Sequence, residues 1–186
     1  MLELVLVLLA AGVLLAAILG VNRLVKLRNR VSSAWADLEV QLTRRRELIP
    51  NLVATVEGYA RHERDTLEAL ATARAAGDRS REDPRRSADA EEQVDRRLAS
   101  VVALAEAYPD LKADERFREL HNELVGTENK IAFSRQLYND TVTAYRTATR
   151  SFPGVLFARR LGFEPPALFD ADVGERGAAT VQLDRE

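Results

Sequence analysis

The stretch from Leu4 to Val21, LVLVLLAAGVLLAAILGV, runs for eighteen residues without a charged or strongly polar side chain. No other feature narrows the possible folds as much. At about 1.5 Å per residue, a helix from Met1 to Leu24 would be about 36 Å long, enough for the roughly 30 Å apolar core of a bilayer. Glu3 is the only charged side chain before the run, and it would sit at headgroup level, where a charge costs little. Arg23, Lys26, Arg28 and Arg30 follow before any further acid. That asymmetry predicts a single-pass cell-membrane protein with its N-terminus outside and everything after Val21 in the cytoplasm. A cleaved signal peptide would want its positive charges ahead of the run and a small-x-small site behind it. A buried core helix would show a polar face. The run has neither pattern.

Beyond the anchor the composition is that of one globular domain. Net charge over the chain is −2, from 27 basic and 29 acidic side chains. Four of the basic and one of the acidic groups lie in the first thirty residues, so the remainder is 23 basic against 28 acidic. A mixed, mildly acidic surface argues against a nucleic-acid binder, which would carry a basic face. The basic cluster at the bilayer edge would instead meet anionic lipid headgroups. The chain has no cysteine, which fits a reducing compartment.

From Asn22 onward the apolar residues recur at helical spacing. The first seam is Val31, Trp35, Leu38, Leu42, then Ile49, Leu52, Val56 and Tyr59, followed by Leu67 and Leu70. Pro50 lacks a backbone donor and clashes with the carbonyl four residues back, so it should kink one long helix or open a new one. The seam keeps phase across it, which favours a kink. A fold-back there would give helices of bundle length. GDRSREDPRRS, Gly77 to Ser87, reads as a loop, with Gly77 a helix C-cap and Ser87 or Asp89 the next N-cap. A helix over Ala88–Tyr108 buries Val94, Leu98, Val101 or Val102, and Ala105. Pro109 breaks the chain, and Asp110 or Asp114 caps a last helix over Glu115–Arg150. Its seam is Phe117, Leu120, Leu124, Ile131, Tyr138, Val142 and Tyr145. Ser151 and Pro153 end it; Gly154–Leu161 forms a short helix closed by Gly162, and Phe163, Leu168 and Phe169 fold back on the bundle. The expected architecture is all-α: a transmembrane helix followed by an antiparallel four-helix bundle. Its expected divisions are an anchor over 1–24, the bundle over 25–162, and an apolar hook with a loose tail over 163–186.

Extending the seams picks up Arg45, Glu63, Glu128 and Arg135. Charges at inward positions are costly unless paired. They form either an interhelical polar network that fixes packing register or side chains that snorkel to the bundle edge. Asn51 would satisfy backbone groups freed by Pro50, and Asn139 would hydrogen-bond across the bundle.

Catalytic patterns are missing. His62-Glu63 lacks the HExxH spacing, and neither His62 nor His121 follows a glutamate by three residues, as di-metal bundles require. There is no GxGxxG, no GxxxxGK[ST] and no GxSxG. The sequence therefore calls for no metal, cofactor or small-molecule substrate, and for no enzyme activity.

NRLVKLRNRVSSAWADLEVQLTRRRELIPNLVATVEGYARHE (Asn22 to Glu63), EAYPDLKADERFREL (Glu106 to Leu120), GTENKIAFSRQLYNDTVTAYR (Gly126 to Arg146) and Phe152-Pro153 together resemble the bacterial LemA family, in the family's order. The resemblance covers about residues 4 to 169. It implies one N-terminal transmembrane helix and an antiparallel four-helix cytoplasmic bundle, which favours the fold-back at Pro50. The chain departs at Arg146, where the family tends to Asn after Tyr, and its Gly77–Ser87 loop is more charged. The family has no established biochemical activity, and a relative in magnetotactic bacteria is implicated in internal membrane formation. The expectation is a membrane-anchored scaffold or adaptor with the lipid bilayer and a protein as partners. The alternative is a lipid-binding, membrane-remodelling protein using Arg23, Lys26, Arg28 and Arg30.

Overall fold

The computed structural model describes residues 1–169; the loose tail expected beyond lies outside the described residues. The long apolar run and the first seam form one helix, α1 (Leu2–Tyr59). From Leu2 to Leu19 its side chains are exposed apart from a half-buried Ala17. This segment is long and apolar enough to cross a membrane, and 0% of its apolar window is buried, whereas a soluble core helix would be mostly buried. Burial begins at Gly20 and Leu24. The division expected at residue 24 falls inside α1, which continues without a break.

The chain does not reverse at Pro50, as the fold-back required. Pro50 lies inside α1, and the turn comes at 60–63. The reason is local. Proline leaves the Arg46 carbonyl, four residues back, without its intrahelical donor. Arg74 of α2 (Arg64–Arg79) supplies one, Nε to the Arg46 oxygen at 2.8 Å. Asn51, expected to take that role, is exposed, and its carbonyl accepts from the Thr55 hydroxyl at 2.9 Å. Arg74→Ala is therefore expected to cost about 1–2 kcal/mol through the orphaned carbonyl. Pro50→Ala restores the helical donor, so in that background the Arg74 loss should mostly vanish. Urea unfolding of the four members of the cycle checks this; equal losses in both backgrounds would reject the pairing.

The expected Gly77–Ser87 loop is shorter than anticipated. α2 runs through Gly77 to Arg79, and α3 (Pro84–Ala107) starts after the short turn 80–83. Asp83, rather than Ser87 or Asp89, caps α3: its carboxylate accepts from the Arg85 amide at 2.9 Å, and Pro84 takes the first helical position. Gly77 is no C-cap but a close approach, where a Cβ would lie 3.1 Å from Glu91 Oε1 and 3.3 Å from Arg46 Cδ. Pro109 opens a short α4 (Pro109–Ala113). Asp114 then caps α5 (Glu115–Arg150), accepting from the Phe117 amide at 2.8 Å. Among the described residues beyond Arg150, Gly154–Leu156 forms a 3-10 turn, where a short helix to Leu161 was expected. Gly154 sits so close to the end of α5 that a Cβ would be 2.2 Å from the Ala148 carbonyl oxygen. Gly162 has φ +70°, a conformation glycine adopts without penalty.

The helices pack antiparallel. α5 lies along α1 in constant register: Tyr59 donates to Asp114 at 2.8 Å, and Arg45 donates to Glu128 at 2.7 Å, fourteen residues along each helix. α2 and α3 flank only the half of this pair remote from the apolar segment. The core is accordingly in two parts. One joins Leu24 to Leu42 of α1, Ile131 to Ala148 of α5, and the returning Ala158, Phe163 and Phe169. The other joins Ile49 to Ala60 with α2, α3, Leu111, Phe117 and Leu124. A charged layer lies between them.

Candidate functional site

The layer begins with two consecutive arginines. Leu42 and Ile49 are seam positions one heptad apart, and both Arg45 and Arg46 fall between them on the inward side. Each is 1% exposed. Arg45 reaches Glu91 at 2.5 Å, Glu128 at 2.7 Å, and Asp95. Arg46 pairs with the other oxygen of Glu91 and, through Nε, with Asp78 at 3.1 Å. Glu91 is the shared centre, a carboxylate 2% exposed that bridges both guanidinium groups. Burial of this kind is tolerable because every charge has a partner.

The surrounding field sets the protonation states. Arg45 is held above the usual guanidinium range: burial opposes its charge, but Asp95, Glu91 and Glu128 outweigh that. Asp95 is pushed up, by burial first and by the neighbouring Glu128 and Glu91, against the pull of Arg45. Asp78 goes the other way. Burial raises it, but the Arg81 hydrogen bond at 2.7 Å and the charges of Arg46, Arg74 and Arg81 hold it below the carboxylate range. A depressed folded pKa gives stability that is present above the unfolded carboxylate value and lost as pH falls through the folded one. Asp78→Asn is thus expected to cost about 1–2 kcal/mol at neutral pH, with the gap to the parent chain closing in acid. Denaturant midpoints measured across pH check this, and a gap independent of pH would reject it.

Of the four polar residues on the expected seam, the structure brings Arg45 and Glu128 together. Arg135 lines the same pocket of about 230 Å³, with Leu42, Ala88, Ile131 and Phe169. Glu63 does not belong to it. It sits at the far turn, where the Tyr108 hydroxyl approaches it at 3.4 Å, because the reversal at 60–63 puts it at the end of the bundle. Sequence reasoning missed Arg46, Asp78, Glu91 and Asp95. Glu91 had a signal: Ser87, Glu91, Val94, Leu98, Val101 and Ala105 step by four and three.

Near the apolar end, Arg23, Lys26, Arg28 and Arg30 are all exposed on α1. The hook packs there: Phe169 lies 6.0 Å from Trp35, Tyr138 lies 5.3 Å from Trp35, and the Tyr138 hydroxyl donates to the Ala167 carbonyl at 2.8 Å. Asn139 accepts from the Phe169 amide at 2.9 Å. Arg146 donates to the Pro166 carbonyl at 3.4 Å. On the outer side of α1 and α5, Val40, Phe133 and Leu137 stand exposed in a cleft with Gln41 and Asn129.

The guanidinium groups are consumed by carboxylates, and among the described residues no group of three His, Cys, Asp or Glu is placed to hold a metal ion. Residues 34–183 match the family model described as the LemA family. The chain is also similar to Protein LemA of Metamycoplasma hominis, 24% identical over 155 residues, covering 83% of this chain and 71% of that one. At the family level the matches support a membrane-associated helical protein.

Proposed function

This chain belongs to the LemA family, and on that premise we propose that it is a membrane-anchored scaffold or adaptor whose bundle faces protein partners on the cytoplasmic side. The observation that carries the reading is the continuity of α1 from Leu2 to Tyr59. A flexible linker would let a tethered domain wander; a helix without one gives the bundle a fixed height and direction above the bilayer. The charged layer supports the same reading, since a paired buried network fixes which helix faces meet. Arg23, Lys26, Arg28 and Arg30 support the cytoplasmic placement of the bundle.

In-cell photo-crosslinking of the full-length chain from position 133, where the Phe133 ring is exposed, tests the proposal. One partner in fixed stoichiometry is expected, lost when residues 1–19 are removed. No such partner, or one indifferent to the anchor, would overturn it.

The exposed basic cluster favours a second reading, direct binding of anionic headgroups, worth about 1 kcal/mol per basic residue near the surface. Reconstituted full-length protein that leaves anionic vesicles unchanged in shape would exclude remodelling and leave the scaffold standing.

A further inference from the structure

We propose that the turn from Phe152 to Leu161 is a second membrane-contacting element, seated in the interface of the leaflet from which α1 emerges. It rests on reading Leu4–Val21 as the bilayer span. Four large apolar side chains stand exposed within these ten residues: Phe152 (78%), Val155 (52%), Leu156 (63%) and Leu161 (54%). Among the described residues of the bundle, the other exposed apolar cluster is the cleft of Val40, Phe133 and Leu137, drawn from two helices. A cluster of this kind marks an interaction surface.

Its position says which one. The turn is locked to α1 at the last turn of the apolar run: a Cβ at Gly20 would lie 2.6 Å from the Phe157 ring and 3.2 Å from Pro153. Gly154 is buried beneath the end of α5, with Leu24 beside it. The exposed face of the turn is therefore level with Gly20 and continuous with the lipid-facing surface of α1. If the run fills the hydrocarbon, the turn cannot stand clear of the membrane. The charges agree with this depth. Arg159 and Arg160 are exposed on the turn, and Arg150 and Arg23 are exposed beside it. Apolar side chains among arginines are the composition of an interfacial segment, whose apolar side sinks about 5–10 Å into the headgroup and acyl boundary.

The chain has no cysteine, so an environment-sensitive fluorophore can be attached at one introduced site. Leu156→Cys, Val155→Cys, Leu9→Cys in the span and Arg61→Cys in the far turn are labelled in the full chain. Each is reconstituted in vesicles of phosphatidylcholine and phosphatidylglycerol. Nitroxide-labelled lipids report depth, and aqueous iodide reports water. At positions 155 and 156, shallow nitroxides should quench severalfold more than at 61, and iodide severalfold less. Position 9 should respond best to deep nitroxides. Quenching at 9 with iodide access at 156 equal to that at 61 would overturn the turn proposal and leave the anchor intact. Protection from iodide without lipid quenching would mean a second copy covers the turn, and would also overturn it. No lipid quenching at 9 would remove the anchor and the proposal together.

Discussion

Glu91→Ala is expected to destabilise the bundle by about 3–5 kcal/mol, the cost of breaking a buried ion pair by removing one partner. Glu91 meets both Arg45 and Arg46, and each of those is 1% exposed. Its loss leaves Asp95 and Glu128 beside Arg45, but both are about half exposed and neither reaches Arg46. Arg46 would keep only Asp78 among its ion-pair partners. Glu92→Ala, one residue on, is the control. Glu92 pairs with Arg96 on the exposed side of α3, and such pairs contribute under about 1 kcal/mol. Glu91→Gln keeps one acceptor oxygen for one guanidinium and turns an amide donor to the other, so it should recover only part of the loss. Denaturant unfolding of the full chain in micelles, followed by circular dichroism, separates the three. A Glu91→Ala loss no larger than that of Glu92→Ala would mean water reaches the layer, and the register-fixing role proposed for it would go.

Tyr138→Ala should cost a similar amount, about 3–5 kcal/mol, by analogy with other aromatic-to-alanine changes in cores. Tyr138 is 1% exposed and holds Trp35 against the returning hook. The hydroxyl bond to Ala167 is a small part of this, so Tyr138→Phe should lose only about 1 kcal/mol. Burial pushes this phenol up to about 12. A raised folded pKa gives stability that is full below the ordinary phenol range and lost as pH rises through the folded value. The alkaline decline of the parent chain should therefore be shallower in Tyr138→Phe. Equal losses for the alanine and phenylalanine variants would show that the hydroxyl, not the ring, secures the hook.

What could be read in advance follows from where the chain repeats itself. Seams with steps of three and four placed α3 and α5, and the limits of α5 needed no correction, because Asp114 and Ser151 close it; the break at 60–63 between α1 and α2 interrupts no seam and was not foreseen. The two proline sites were harder. At Pro50 the residues left a kink and a reversal both open, because the donor that keeps the helix continuous, Arg74, is 24 residues away in sequence, and pairing at that range leaves no local trace. Pro84 looked like a loop residue when it is the first residue of α3. Glu91 already lay inside the expected helix, three residues before Val94 on the same face, and was passed over because a carboxylate there looks like a surface charge. Arg45 and Glu128 could be found because they interrupt apolar seams. Asp78 and Asp95 could not, since an acid on a half-exposed helical flank looks like any other surface charge.

The pairing of α1 with α5 along its whole length outside the apolar segment has a mechanical meaning. From Leu24 to Tyr59 the paired shaft extends about 50 Å at the helical rise, and the short α2–α3 hairpin thickens only its outer half. Such a body is a lever. A push on the tip is delivered as torque at the point where α1 enters the bilayer, so a partner gripping the far end would tilt the span instead of merely tugging on it.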